Sequence, residues 1–325
     1  ALLIVAADDG PMPQTMEHLA ILDLLGVSVG AVALTKIDRV DDARRAEAAE
    51  EVAQILEGTS LSGAPVFPVS GITGDGVPEL KAHLAAAARS VQHRSGAGNF
   101  RLAIDRAFTI TGSGLVVTGT VYAGQAAVGD RLTLTPHGIE VRVRAIHAQN
   151  RDAKSGLAGE RCALNIAGAD LTREMVSRGD WIVGETAHAP SDRFDARVRV
   201  LPSEDRPLRH WTPVHLHLGA EDVGARVATL EGRAIPVGET GLVQIVLDKP
   251  IGALHGDRFI LRDQSARRTV GGGMVIDPFS PARGRAKPER LAMVRGLEQQ
   301  DPAAALEAVL EHSPGGVDLN RFAVG

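Results

Sequence analysis

The sequence predicts a multidomain protein of the α/β plus β class, and three patterns along the chain support this prediction. Residues 1–92 alternate apolar strands with helices, which is typical of a parallel sheet with helices on both faces. Residues 99–281 contain short strands separated by glycine-rich turns, which is typical of small β-barrels. Residues 282–325 begin with a basic connector and then return to helical spacing.

The composition narrows the class of protein further. The chain has 325 residues, 44% of them hydrophobic, which is enough for two or three separate cores. Its net charge is −5, so any contact with RNA must use a local basic patch. The one cysteine, Cys162, excludes an intrachain disulfide, fits a reducing compartment and lies in an apolar strand pattern that favours a packing role. Because no apolar run approaches the roughly 20 residues of a membrane span, we expect a soluble, cytoplasmic protein without a membrane partner.

The first ninety residues carry three strand patterns, each followed by a helix pattern. Strands are expected at residues 2–6, 29–34 and 66–69, and helices at residues 14–25, 43–56 and 77–89. The first strand lies in the uninterrupted apolar run ALLIVAA, which is typical of a strand buried on both faces. A natural chain does not usually start in such a strand, and the last helical part is short, so we expect a fragment truncated at both ends. Ligands of parallel sheets bind at the carboxyl ends of the strands.

Two polar clusters follow the second and third strands. Thr35-Lys36-Ile37-Asp38 matches the [N/T]KxD base-recognition motif of GTPases, and Ser70-Gly71 matches their later SA-type loop. A buried Asp38 carboxylate would accept hydrogen bonds from N1 and N2 of guanine, and adenine would leave it unpaired at a cost of about 1–3 kcal/mol. Lys36 would lie along the base plane, and Gly71 would leave room for the O6 edge. The alternative is that this Lys and Asp belong to a solvated loop.

The elements that hold phosphates in GTPases are not found in this sequence. There is no GxxxxGK[ST] loop, and no DxxG element follows a strand. We therefore interpret residues 1–92 as the C-terminal part of a P-loop GTPase domain. Catalytic residues and the ligands of Mg²⁺ are expected upstream of residue 1. The chain itself is expected to bind GTP or GDP weakly and to hydrolyse neither, although the whole protein would be a GTPase.

Two barrel domains are predicted after a Gly/Ser-rich linker at residues 93–98. In the first, residues 99–190, strands are expected at residues 115–121, 131–134, 140–147 and 161–166. In the second, residues 191–281, they are expected at residues 214–218, 240–247 and 258–261.

The stretch FRLAIDRAFTITGSGLVVTG opens the first barrel. It carries the charged pair Asp105-Arg106 and a sharp turn at Gly112-Ser113-Gly114. In the second barrel, His215 and His217 share one strand face, where two histidines can ligate a metal. No third ligand is evident, so we favour ordinary packing or surface histidines and predict no metal site.

Residues 282–325 combine a basic connector with expected helices at residues 288–298 and 303–312. The basic residues of the connector are Arg283, Arg285, Lys287 and Arg290. Basic helical tails contact RNA, but four such residues in a linker are equally typical of a solvated surface. Both interpretations stay open at this point.

The order of these parts resembles the translational GTPases related to elongation factor Tu. DDGPMPQTMEHL is similar to their segment after switch II, and FTITGSGLVVTGTV resembles the opening of their second domain. The finer resemblance is to the bacterial selenocysteine-specific elongation factors, which share the Thr that begins TKID where elongation factor Tu has Asn. The segments that carry it are ALTKIDRVDDAR, VRVRAIHAQN, RCALNIAG, RGDW and DRFILRDQSARRT.

This resemblance implies a function for the whole protein. It would be a monomeric GTP- and Mg²⁺-dependent factor that delivers selenocysteinyl-tRNA to the ribosome at recoded UGA codons. The second barrel would contact the tRNA. The region after residue 281 would be the start of a winged-helix region that binds the selenocysteine insertion hairpin of the mRNA.

The resemblance also places an aminoacyl pocket at Asp105, Arg106 and Arg161. A selenol is largely anionic at neutral pH and a serine hydroxyl is neutral, so a desolvated cationic pocket would discriminate between them. Arg106 and Arg161 would supply the positive charge. Asp105 would orient an arginine or receive the aminoacyl ammonium group. The alternative is a surface Asp-Arg pair that contributes little energy.

Two further functions remain possible from the sequence. One is another member of the elongation factor Tu superfamily, which would lack the Asp105-Arg106 pair and the basic helical tail. The other is a non-enzymatic RNA-binding or scaffolding module of two β-barrels, in which residues 35–38 would be a bare surface loop.

Overall fold

The structure is a computed structural model that describes residues 1–90, 98–112, 114–169, 171–313 and 315–324. The chain forms two compact units, Ala1–Gln92 and His93–Gly325. Most of the predicted linker, residues 93–97, lies outside the described residues, and so does Ser113 of the predicted turn. Its neighbours Gly112 and Gly114 have φ values of 82° and 88°, the left-handed region that glycine adopts without strain.

The first unit is a three-stranded parallel sheet with helices on both faces, as the sequence predicts. Its elements are β1 (Leu2–Ala6), α1 (Pro13–Leu24), β2 (Ala31–Thr35), α2 (Asp42–Leu56), β3 (Val66–Pro68) and α3 (Val77–Ser90), with strand order β1-β2-β3. One sheet face packs against α1 and α2 through a core that includes Leu3, Leu19 and Val52. On the opposite face, Phe67 lies 4.9 Å from the His83 ring of α3.

The outer face of β1 contradicts the prediction of a strand buried on both sides. Leu3 and Val5 are 6% and 2% exposed, but Leu2 and Ile4 on the other face are 39% and 56% exposed. β1 is an edge strand that pairs only with β2 within the described sheet. An apolar run records which side chains favour burial, but it does not record whether an element covers both faces.

The first barrel closes from six antiparallel strands. They follow the order β11-β5-β4-β12-β7-β8, and a pairing of β8 with β11 closes the ring. The strands of this region are β4 (Arg101–Ile110), β5 (Gly114–Ala123), β6 (Gln125–Ala127), β7 (Arg131–Thr135), β8 (Ile139–Ala148), β9 (Arg151–Ala153), β10 (Ser155–Leu157), β11 (Arg161–Ala167) and β12 (Trp181–Val183). Residues that alternate along these strands fill one core, which includes Ile104, Val117 and Leu164.

The second barrel closes from six strands in the order β13-β18-β16-β15-β19-β20. Its strands are β13 (Ser191–Val200), β14 (Leu208–Arg209), β15 (Thr212–Leu218), β16 (Glu221–Thr229), β17 (Ala234–Ile235), β18 (Thr240–Ile251), β19 (Arg258–Arg262) and β20 (Thr269–Asp277), of which β14 and β17 form a separate pair. A Cβ at Gly271 or Gly273 would lie 2.3 or 1.9 Å from a carbonyl oxygen of β13. Glycine therefore permits the close approach of the two strands that complete this barrel.

A buried charged contact joins the two barrels. Arg101 donates from Nη1 to Asp257 Oδ1 at 2.8 Å and from Nη2 to Oδ2 at 2.7 Å. Its guanidinium also lies 4.5 Å from the ring centroid of Trp181, which is 1% exposed and belongs to the core of the second barrel. Because both charged side chains are only 9% exposed, removal of either partner would leave an uncompensated buried charge.

The C-terminal helices are held to the second barrel by arginines of the first helix and of the connector before it. They are α4 (Pro288–Gly296), α5 (Pro302–Glu311) and α6 (Leu319–Val324). Arg290 donates to Asp277 Oδ2 at 2.5 Å and from Nε to Asp195 Oδ2 at 3.0 Å, and Arg285 donates to Gln244 Oε1 at 3.2 Å. Arg285 and Arg290 therefore hold the helices to the barrel, whereas Arg283 is exposed. Among the helices in the described ranges, none is long and apolar enough to cross a membrane.

We expect Arg101→Met to lower the free energy of unfolding by about 3–5 kcal/mol, because it leaves Asp257 buried without its partner. Denaturant unfolding followed by far-UV circular dichroism measures this change. The matched control is Arg131→Met, which removes an exposed pair with Glu140 at 3.4 Å and should cost less than about 1 kcal/mol. Equal losses in the two variants would contradict the role of the buried pair.

Candidate nucleotide and aminoacyl sites

The two predicted guanine-binding motifs meet at one edge of the sheet. Residues 35–38 begin at the last residue of β2, and Ser70 and Gly71 come just after β3, so both motifs lie at the carboxyl ends of neighbouring parallel strands. The Ser70 hydroxyl donates to Asp38 Oδ1 at 2.6 Å. The structure therefore brings the predicted base-reading carboxylate and the SA-type loop into direct contact.

The Ser70 loop is held by hydrogen bonds and leaves an open space beside it. Ser70 is fully buried, and its Oγ accepts hydrogen bonds from the backbone N–H groups of Ile72 and Thr73 at 3.2 and 3.1 Å. A Cβ added to Gly71 would meet no atom within 4 Å. Packing within the protein therefore does not require glycine here, and the free space is available to a ligand that approaches the backbone.

Lys36 is held by carboxylates that the sequence reasoning missed. Its backbone is in the left-handed region, with φ 60°, which is uncommon for a residue other than glycine. Its Nζ donates to Asp8 Oδ1 at 2.9 Å and to Asp9 Oδ2 at 3.4 Å. The hydrogen bond with Lys36 lowers the pKa of the Asp8 carboxyl, and the same bond raises the pKa of Lys36. Since Asp8 follows β1, the strand-end rule applied to the first strand would have found this pair.

Thr35 ends β2 and contacts the neighbouring strand. Its hydroxyl donates to the carbonyl of Val5 at 3.3 Å, which ties the end of β2 to β1. Its place in a guanine site stays a prediction, as do those of Lys36 and Asp38.

The predicted aminoacyl site lies on three adjacent strands of the first barrel, β4, β5 and β11. Arg161 donates to Asp105 through two bonds, from Nη1 to Oδ2 at 2.6 Å and from Nη2 to Oδ1 at 3.2 Å. Thr118 donates its hydroxyl to Asp105 Oδ1 at 2.7 Å, and Arg161 Nη2 donates to Thr118 Oγ1 at 3.4 Å. Such a two-bond contact fixes the plane of the guanidinium.

The structure shows which of the two predicted arginines Asp105 holds. A β-bulge between Ile104 and Arg106 breaks the register with β5, so Asp105 turns toward Arg161 and Arg106 points to solvent. Arg106 is exposed, and among the described residues it forms no hydrogen bond or ion pair. Bulges depend on long-range strand pairing, so the adjacency of Asp105 and Arg106 in the sequence does not reveal them.

The predicted aminoacyl pocket is open to solvent in this structure, and its desolvation stays a prediction. The side chains of Arg161 and Asp105 are 49% and 34% exposed. They lie on the outer face of the barrel, where no element in the described ranges covers them. The site is therefore an open charged surface with one paired arginine, Arg161, and one unpaired arginine, Arg106.

Two other predicted features lie away from these sites. His215 Nδ1 lies 3.0 Å from Asp222 Oδ1, and burial lowers the pKa of His217. The described part of the chain contains no group of three His, Cys, Asp or Glu side chains that could hold a metal.

Cys162 is 1% exposed, and burial raises the pKa of its thiol to about 11, which fits the predicted packing role.

Each of the three β-containing regions matches a known domain family. Residues 1–90 match the elongation factor Tu GTP binding domain, and residues 114–183 match elongation factor Tu domain 2. Residues 195–282 match the beta-barrel domain of the selenocysteine-specific elongation factor.

Curated relatives extend the similarity over the whole chain. The selenocysteine-specific elongation factor of Escherichia coli (strain K12) is 44% identical over 324 residues, which are 99% of this chain and 50% of that protein. The factor of Desulfomicrobium baculatum is 38% identical and is covered to 44%, with 86% of this chain aligned. The chain therefore spans about half the length of these relatives.

Solved structures show the same relationship. The crystal structure of a bacterial selenocysteine-specific elongation factor, EF-Sec, superposes with a TM-score of 0.82 at 25% identity, covering 99% of this chain and 52% of that one. The apo form of elongation factor SelB from Methanococcus maripaludis superposes with a TM-score of 0.76 at 27% identity. That alignment covers 87% of this chain and 65% of the other.

The thiol of Cys162 should react slowly with Ellman's reagent in the folded chain. A pKa raised from 9.0 to about 11 lowers the thiolate fraction at pH 8 about 100-fold, and burial also blocks the reagent. The rate should rise only as the pH approaches 11. The same chain unfolded in guanidinium chloride is the control and should react rapidly, so equal rates in the two states would contradict the burial of the thiol.

Proposed function

Because the chain belongs to the family of bacterial selenocysteine-specific elongation factors, we propose that it forms part of a translation factor for selenocysteine. This factor binds GTP and selenocysteinyl-tRNA and delivers the tRNA to the ribosome at recoded UGA codons. The second barrel carries the proposal furthest, because residues 195–282 match a domain specific to these factors. Residues 1–90 and 114–183 match domains described for elongation factor Tu. No observation favours a non-enzymatic scaffold.

In this proposal the guanine base binds where residues 35–38 meet the Ser70 loop. Asp38 reads N1 and N2 of the base, and the 2.6 Å hydrogen bond from Ser70 orients its carboxylate. The open space beside Gly71 receives the O6 edge. Lys36 lies along the base, anchored at its ammonium by Asp8. The phosphates and Mg²⁺ are held by residues outside this sequence, which has no GxxxxGK[ST] loop.

The selenocysteine group binds on the outer face of the first barrel. Arg106 and Arg161 supply positive charge to the selenolate, and Asp105 orients Arg161 through its two bonds. The bound tRNA covers this surface and removes its water, which strengthens the attraction to an anion and penalises the neutral serine hydroxyl. The open site in the free chain and the desolvated site in the complex are then two states of one surface.

The remaining partners follow from the same family. We place the protein in the cytoplasm as a monomer, with the ribosome as its acting site. The selenocysteine insertion hairpin of the mRNA binds through the region after residue 281. Arg285 and Arg290 are engaged with the second barrel, so residues other than these two carry that recognition.

We expect Arg106→Ala in the full-length protein to weaken binding of selenocysteinyl-tRNA about 10- to 150-fold, the usual value of a contact to a charged group. The measurement is protection of the aminoacyl ester against hydrolysis in the presence of GTP. Affinity for fluorescent GDP should not change. Arg131→Ala, an exposed arginine of the same barrel, is the control, and equal protection by Arg106→Ala and wild type would rule out the site.

Thr118→Val should weaken the same complex about fivefold, because Asp105 loses one hydrogen bond and holds Arg161 less firmly. The hydrolysis-protection assay measures it, with seryl-tRNA as the competing ligand. Thr120→Val removes an exposed hydroxyl from the same strand and should have no effect. If Thr118→Val and Thr120→Val protect the aminoacyl ester equally well, Thr118 does not position Asp105 and Arg161.

A further inference from the structure

A strained aromatic residue stands at one end of the second barrel. Trp211 lies in the turn between β14 and β15, is 42% exposed and has a φ of 68°. A bulky residue rarely adopts this backbone conformation, and such strain tends to persist where a side chain has a function. The Trp211 N–H donates to the carbonyl of Val227 at 2.7 Å, and the Thr212 hydroxyl donates to the carbonyl of Arg209 at 2.8 Å. The turn is therefore fixed and presents the indole to solvent.

Three exposed arginines surround this turn in the register of the strands. Arg209 ends β14 and pairs with Ala234, and the next residue along, Arg233, accepts at its carbonyl a hydrogen bond from His210 N–H at 2.9 Å. Arg226 of β16 lies opposite Pro213, two residues after Trp211. Across the described ranges, the guanidinium groups of these three arginines form no ion pair with a carboxylate. In a chain of net charge −5, this is a local basic patch.

A fourth arginine enlarges the aromatic surface. The Arg285 guanidinium lies 5.5 Å from the ring centroid of Trp211 and is held by its hydrogen bond to the buried Gln244. An indole with a guanidinium this close to its ring offers aromatic and cationic groups together, the combination on which nucleobases stack. The connector to the C-terminal helices thus contributes to the same surface as the barrel.

We propose that Trp211, Arg209, Arg226 and Arg233 form a binding surface for single-stranded RNA. An unpaired base stacks on the indole, and the arginines pair with the flanking phosphates. A duplex keeps its bases stacked on one another and would use only the arginines. An acidic peptide would also use the arginines but has no planar group for the indole. This surface is separate from the guanine and aminoacyl sites and does not depend on the function proposed for them.

The test uses the whole chain and a single-stranded RNA of about eight mixed nucleotides without self-complementarity. Anisotropy of an end-labelled RNA measures binding, and tryptophan fluorescence with unlabelled RNA measures stacking. The chain has two tryptophans, and Trp181 is 1% exposed, so quenching on binding reports Trp211. Trp211→Leu should lower the affinity about 5- to 150-fold, whereas Trp211→Phe should retain most of it.

Charge variants keep the proposal testable if Trp211→Leu misfolds. Arg226→Gln and Arg233→Gln should each weaken binding and reduce the slope of log K against log salt by about 0.7. The control Arg131→Gln replaces an exposed arginine of the first barrel, and it should change neither the affinity nor the salt slope. Unchanged affinity in the Trp211 and Arg233 variants would overturn the proposal. So would equal quenching by duplex RNA or by a poly-glutamate peptide, because recognition would then rest on charge alone.

Discussion

The guanidinium of Arg101 lies between the carboxylate of Asp257 and the indole of Trp181, and it joins the two barrels through charge and packing together. Burying this pair is costly unless both partners keep their geometry, so the contact tolerates little relative movement of the barrels. Around it, one continuous core runs from Trp181 into Leu216 and Phe259 of the second barrel. The aminoacyl surface on the first barrel and the Trp211 surface on the second therefore belong to one compact unit.

Sequence patterns predicted the architecture well because it depends on local periodicity. The alternation in residues 1–92, both barrels and the helices after residue 281 follow from spacing that each element shows by itself. The guanine motifs were also predictable, since carboxyl ends of adjacent parallel strands must meet. That rule puts Asp38 and Ser70 close together, and Ser70 Oγ lies 2.6 Å from Asp38 Oδ1.

The contacts that sequence reasoning missed are long-range pairs of charges. Lys36 and Asp8 are 28 residues apart, Arg161 and Asp105 are 56 apart, and Arg290 and Asp195 are 95 apart. No periodicity links such positions, because their pairing depends on strand order and on a bulge. The resemblance grouped Asp105 with Arg106 and Arg161 without saying which arginine it holds, and in the structure Asp105 pairs with Arg161. The sequence therefore indicated which charged residues to examine, and the structure shows which of them pair; their roles at the two sites stay predictions.

The anchoring of the C-terminal helices has a mechanical consequence. Arg290 of α4 donates hydrogen bonds to the carboxylates of Asp195 and Asp277 in the barrel. Arg197 of β13 donates from Nε to Glu298 Oε1, just beyond α4, at 2.8 Å. A pull on these helices would load the strands β13 and β20 directly and would bypass the short connector. A displacement of the helices would therefore be transmitted to the second barrel. Through the Arg101–Asp257 contact, it would then reach the first barrel.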